Sequence, residues 1–280
     1  MRIKVTADST CDLPESLTAE RGITIVPLYV NRGEETLRDG VDIRMEDVFA
    51  FMEATGELCK TSALNIADYQ SVWTELRREY DAIIHISISS GLSVSHANAC
   101  LAAAAVGGVW VVDSLSLSTG SGHLVLDAAA LARTGAAPAD IAAELRRRAK
   151  KLEVSFVIDT LAYLHRGGRC SALAVLGANM LGLRPCIEMR DGVLGVGRKY
   201  RGSLEKCFVH YIEDRLCGRS DIDTRRIFFT GTALPAATRE LVRRTILDCL
   251  PFEEVIGTEA GCTIASHCGP GTMGILFYRK

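Results

Sequence analysis

Apolar and polar positions alternate along this chain in two rhythms, short branched runs and longer stretches at helical spacing. Residues 3–7, 23–29, 82–87 and 109–112 are short and rich in branched side chains, which predicts strands. Between them Met45, Val48, Phe49 and Met52 recur every three or four residues, as do Tyr69, Trp73 and Leu76. Residues 93–105 and 124–133 add alanine-rich helices suited to packing on a sheet. Strand–helix–strand repetition predicts a mostly parallel sheet covered by helices.

A helix over 139–151 carries a basic face (Arg146, Arg147, Arg148, Lys150, Lys151), read as solvated, and the pattern then changes. Residues 155–158 predict a strand, and 186–189 with 193–196 a hairpin turning at Asp191-Gly192. Helices over 203–216 and 235–250 flank a strand at 227–229. The expected organisation is an N-terminal α/β lobe over 1–154 and a C-terminal α+β lobe over 155–280, with no repeat or long linker.

Composition narrows the function classes. The 280 residues can bury a substantial core, and 32 Lys plus Arg against 34 Asp plus Glu give no reason to propose nucleic acid as a partner. The opening string MRIKVTADST has no apolar signal core, and the longest apolar stretch, 101–112, is broken by Gly107 and Gly108. Ten cysteines include no C-x-x-C pair. Cys100, Cys186, Cys207 and Cys249 sit in apolar or helical contexts that predict simple packing, so a cytoplasmic protein with reduced thiols is expected.

In an open parallel sheet ligands bind beyond the carboxyl ends of the strands. Three such ends carry small polar side chains: Asp8-Ser9-Thr10-Cys11-Asp12, Ser89-Ser90-Gly91-Leu92-Ser93 and Asp113-Ser114. Thr61-Ser62 precedes another helix. Any one of these could be a helix cap, but together they predict a polar rim. Ser93, placed to open a helix, would offer an anion the unpaired N–H groups of the first turn. Its setting also nearly matches the nucleophile elbow G-x-S-x-G, with Ser95 at the last glycine. A serine-dependent acyl hydrolase or transferase using Ser93, with His267 or His96 as base, is therefore the rival reading. A binder of another small anion, such as a phosphate ester, is a third.

Two further strings stand out. In HRGGR, residues 165–169, paired glycines precede Arg169, whose planar fork suits an oxyanion. In SHCGPGTMG, residues 266–274, His267 lies among glycines that let a ligand approach the backbone. The same string satisfies G-x-G-x-x-G, yet only six residues follow Gly274, too few for the helix and strand of a dinucleotide fold. Cys262, His267 and Cys268 lack a fourth zinc ligand at sensible spacing, and no metal or cofactor is expected. Arg198-Lys199-Tyr200-Arg201 reads as a basic, partly aromatic docking patch or a plain hairpin edge.

Taken in order, DSTCDLP, TS at 61–62, SSGLS, DSLSLSTGSG, HRGGR, RPCI and HCGPGTMG resemble the DegV family, the fatty-acid-binding subunits of bacterial fatty acid kinase. The resemblance runs from the first strand to the last. It implies a two-lobed α/β fold with a long-chain fatty acid between the lobes. Thr61, Ser62 and Ser93 would then be hydroxyl groups at the carboxylate and His267 its imidazole, with Arg169 supporting them. Arg201 would dock the kinase catalytic subunit, which supplies ATP and forms the acyl phosphate. The subunit itself would be non-catalytic, feeding phospholipid synthesis. The chain departs from the family at Ala63-Leu64, Val94, His96, Cys170 and Arg184, none of which removes a group assigned to the carboxylate.

A carrier role is consistent with the energetics. Burying about fifteen methylenes at roughly 0.8 kcal/mol each yields on the order of 12 kcal/mol before entropic costs. Binding that firm suits a carrier opened by a partner protein or by transient contact with a membrane surface. The composition, 48% hydrophobic but 6% aromatic, suits an aliphatic tunnel and equally an ordinary core.

Overall fold

A computed structural model describes residues 1–169 and 182–280. Cys170 lies outside these residues. From the N-terminus come β1 (Ile3–Asp8), α1 (Glu15–Arg21), β2 (Thr24–Val26), β3 (Tyr29–Arg32) and β4 (Glu35–Arg38). Then follow α2 (Met45–Thr55), β5 (Lys60–Ser62), α3 (Ile66–Leu76), β6 (Ala82–Ser87), α4 (Ser95–Val106) and β7 (Val109–Asp113). Two helices, α5 (Ser118–Ala132) and α6 (Pro138–Ala149), lead to β8 (Leu152–Val157) and α7 (Ala162–Gly167). The remainder forms β9 (Leu183–Arg190), β10 (Val193–Arg201), α8 (Leu204–Leu216), β11 (Ile222–Gly231) and α9 (Ala236–Cys249). It ends with β12 (Glu254–Glu259), α10 (Cys262–Cys268) and β13 (Met273–Arg279).

The first sheet has the order β2-β1-β6-β7 and is parallel throughout, as the strand–helix rhythm predicts. Its β6 is buried at every position, which is why AIIHIS shows no alternation. A second sheet, β10-β9-β8-β13-β11-β12, is antiparallel except where β11 meets β12. The expected α/β class holds, with a parallel sheet first and a mixed sheet after it. The hairpin turns at Asp191-Gly192, as read.

Three local expectations change. The run 23–29 is two strands: Thr24–Val26 joins the first sheet, while Tyr29–Arg32 joins a small antiparallel sheet, β4-β3-β5. Pro27, which has no N–H to give a ladder, lies between them. Helix α5 begins at Ser118, six residues before the expected 124. Its first turns look like a loop in sequence because they pack too tightly for larger side chains. A Cβ on Gly120 would lie 2.1 Å from Ser116 Oγ and 2.7 Å from Val154.

The third change concerns cysteine. Cys217 and Cys249, 32 residues apart, are joined as a disulfide, so Cys249 does not simply pack and the thiols are not all reduced. The C-terminal ends of α8 and α9 meet there, with the two Cα atoms 4.7 Å apart, a proximity that linear spacing hides. The other seven described cysteines are free. Among the described residues no helix is long and apolar enough to cross a membrane.

The largest apolar core lies between the two sheets, where α5 is enclosed and Phe156, Leu117 and Ile264 meet. Helix α10 packs back onto α2, β3 and β5, so a C-terminal segment completes the N-terminal half.

Candidate ligand site

Helix α10 carries His267 in its last turn, and two aspartates from distant loops fix its first. Asp39 accepts from Cys262 N (2.8 Å) and Thr263 N (3.3 Å), while Asp12 accepts from Gly261 N (2.9 Å). Ser9 donates to Asp39 (2.9 Å) and Ser118 to Asp12 (2.6 Å). Burial pushes the Asp12 carboxyl up to about 8, against the opposing hydrogen bonds from Ser118 and Gly261, with the Asp39 carboxylate adding to the rise. So anchored, α10 brings His267 Nε2 to 2.8 Å from the hydroxyl of Thr61 on β5.

Burial, and secondarily the Arg169 guanidinium, lowers His267 to about 4, so the ring is neutral at neutral pH. Its Nδ1 is buried against Gly167 with no hydrogen-bond partner among the described residues. Ser62, beside Thr61, accepts from Asn31 Nδ2 at 2.6 Å.

Ser93 lies in the loop after β6. Helix α4 starts two residues later than expected, and the Ser93 hydroxyl accepts from Ser95 N (3.2 Å) and bonds Ser95 Oγ (2.9 Å). It therefore turns the loop into the helix rather than opening the helix itself. Val94, one of the departures from the family pattern, has ordinary helical φ and ψ and is exposed, so it introduces no strain.

Thr61, Ser62, Ser93, Arg169 and His267 all line one cavity of about 370 Å3. That volume falls within the range of about 300–1,000 Å3 usual for small-molecule sites. The polar groups share it with Phe156 and Leu194 of the second sheet, Ile264 of α10, and Leu28, Ile88 and Leu117 from the segments that follow strands of the first sheet. Arg169 is exposed and also donates to Gly167 O at 2.7 Å.

Other expectations separate from this cavity. Arg201 ends β10 on the exposed surface and does not line it. Its neighbours do not make an aromatic patch, because Tyr200 is buried in the second core and Arg198 pairs with Asp214 at 2.7 Å. Arg184 pairs with Asp159 (2.9 Å). Most of the polar rim is internal structure: Asp8 accepts from Tyr69 (2.7 Å) and Ile88 N (2.9 Å), and Asp113 from Leu115 N (2.9 Å). Of that rim, the 90–93 part and Thr61-Ser62 face the cavity.

Neither candidate base bonds Ser93. His96 Nδ1 is 2.8 Å from Ser87 Oγ, and His267 is engaged by Thr61. Cys262 donates to Ile43 O (3.2 Å), and among the described residues no three metal-ligating side chains converge. The apparent dinucleotide fingerprint runs from helix α10 into strand β13, the reverse of strand into helix. Sequence reasoning missed Asp39 and the walls Leu117, Phe156 and Ile264, which carry no local signal beyond being polar or apolar.

The whole chain has counterparts among known proteins. It is 30% identical to Protein DegV of Bacillus subtilis, covering 100% of both chains, and 28% identical to a fatty acid-binding protein of Thermotoga maritima, covering 98% of this chain and 96% of that one. Its fold superposes on a fatty-acid-binding DegV family protein from Thermus thermophilus with a TM-score of 0.90 and 32% identity over 100% of both chains. The fatty acid binding protein DegV of Bacillus subtilis matches with a TM-score of 0.83 and 27% identity, again over 100% of both. A DegV family model matches residues 2–280, and the chain is a member of the DegV family.

Proposed function

We propose that this protein is a carrier that sequesters one long-chain fatty acid between two lobes, residues 1–154 and 155–280. The observation that carries this reading is the cavity's mixed lining: the bonded pair of Thr61 and a neutral His267 imidazole, with further hydroxyls, share one space with a set of apolar side chains. A carboxylate taken from water needs donors, and Thr61, Ser62, Ser93 and Arg169 supply them, with His267 acting through Thr61.

The imidazole's state sharpens the chemistry. A neutral ring has one N–H, and Nδ1 has no partner for it among the described residues. Placed on Nε2, that proton is donated to Thr61 Oγ1, and the Thr61 hydroxyl is left to donate to the carboxylate. A hydroxyl relay of this kind lets neutral groups hold the head group, with the exposed Arg169 guanidinium adding to them.

The family resemblance extends the proposal. A partner kinase supplies ATP, phosphorylates the presented carboxylate and docks through Arg201, while this chain performs no chemistry. Release follows when that partner, or transient contact with a membrane surface, opens the cavity.

Solvent extraction of the purified protein and mass spectrometry of the extract test the carrier reading. An intact long-chain acid, one per chain, is expected. A covalent acyl group on Ser93 supports the hydrolase instead, and a small anion in place of lipid refutes both.

A further inference from the structure

Beyond the main cavity lies a second void of about 20 Å3, lined by Val154, Thr230, Ala260, Thr272 and Gly274 among others. Four residues line both spaces: Leu117, Phe156, Ile264 and Cys268. They form a partition, and Phe156 is its largest member.

The position of Phe156 is built into the second sheet. It lies on β8 directly opposite Gly274 of β13. A Cβ at Gly274 would come within 2.9 Å of Phe156 Cβ and 2.8 Å of Ser155 O, so glycine there lets the aromatic residue sit close against the neighbouring strand. The third glycine of HCGPGTMG thus serves the partition rather than a phosphate.

The far void could accept hydrocarbon. Its hydroxyls are committed elsewhere: Thr230 bonds Thr119 (2.7 Å) and Thr258 (2.8 Å), Thr232 donates to Gly269 O (2.6 Å), and Thr272 to Cys268 O (3.0 Å). A space whose polar groups are already paired holds water weakly.

We propose that Phe156 sets the length of acyl chain this protein accepts, by closing the main cavity off from the void behind it. This rests on the fatty-acid carrier reading. An alkyl tail growing inward from Thr61 and His267 meets the aromatic ring at the partition, and further methylenes require it to move. Replacing the ring by a smaller side chain joins the two spaces.

The test is a series of affinities for saturated fatty acids of increasing length, measured on the wild type, Phe156→Leu and Phe156→Ala. The preferred length is expected to grow by about two carbons or more in Phe156→Ala and by less in Phe156→Leu, each admitted methylene adding up to about fourfold in affinity. Ala260→Leu in the Phe156→Ala background refills the far void and is expected to restore the wild-type preference. Phe156→Leu keeps an apolar core residue at this site, so it decides the matter where the alanine variant does not fold. Wild-type binding with an unchanged preferred length in Phe156→Leu and Phe156→Ala overturns the role of Phe156 and leaves the carrier reading standing. No affinity of the wild type for any fatty acid overturns both.

Discussion

Thr61 and His267, 206 residues apart in sequence, share a hydrogen bond of 2.8 Å between a hydroxyl and a neutral, largely buried imidazole. One stands on a short strand of the small sheet and the other in the last turn of α10. Thr61→Val keeps the shape of the side chain but deletes the hydroxyl, leaving Nε2 buried without its partner. A hydrogen bond to a charged group contributes about 1.5–3 kcal/mol, so fatty acid affinity is expected to fall about tenfold or more. His267→Ala and Ser93→Ala should weaken capture in the same direction. Titration with a fluorescent fatty acid checks this, and undiminished affinity in all three variants removes the proposed site.

Asp39 acts on the same histidine from the other end of its helix. Asp39→Ala strips acceptors from Cys262 N and Thr263 N and from the Ser9 hydroxyl. Losing such a cap costs about 1–2 kcal/mol of stability. Urea unfolding measures that loss. The affinity of the still-folded variant tells whether His267 has been displaced: an unchanged value means that α10 holds its register without Asp39.

Arg201 stands apart from the cavity, on the exposed end of β10. Arg201→Ala is expected to leave fatty acid affinity within about twofold of wild type, as for a surface change remote from the site. Acyl-phosphate formation with the kinase and ATP should fall steeply. Affinity and phosphorylation lost together would show that Arg201 belongs to the lipid site.

Acid should unfold this protein partly through its histidines. His123 is enclosed in α5, bonds Leu276 O at 2.9 Å and is lowered by burial to about 4 from an ordinary 6.5. Above pH 6.5 the ring is neutral in folded and unfolded chains alike, and its contribution is fully present. As pH falls from 6.5 to 4 the unfolded chain takes up a proton that the folded chain refuses, and that contribution is lost. His267 works in the same direction. Asp12, pushed up to about 8 from 3.8, works in the opposite direction, losing stability as pH rises through that range. Urea titrations between pH 4 and 6.5 should show stability rising with pH. The slope in His123→Gln should be shallower by up to about 1.4 kcal/mol per pH unit. An identical slope means the buried ring does not titrate as described.

Much of the fold was legible because its determinants are local. The run AIIHIS announces a strand buried on both faces, and Tyr69, Trp73 and Leu76 announce one side of a helix. The small sheet and the early start of α5 were not legible. Pro27 splits an apolar run that looks continuous, and the Ser-Thr-Gly-Ser-Gly opening of α5 looks like a loop until two packed sheets enclose it. The Cys217–Cys249 disulfide was hidden for the same reason, since it depends on where two helix ends meet.

The site divides along the same line. By itself the sequence determined the parallel first sheet, the main helices and the kinds of groups available to a ligand, because hydrophobic period and residue chemistry act over a few neighbouring positions. His267 and Ser93 stood out on their residue type and surroundings, but their assignment with Thr61 to one carboxylate rested on family resemblance. Only the tertiary structure decided that Thr61 bonds His267, that Asp12 and Asp39 fasten α10, and that Phe156 divides one apolar space from another. Those relations join segments separated by scores to hundreds of residues. Closing such loops is an outcome of the whole fold, and no local pattern records it.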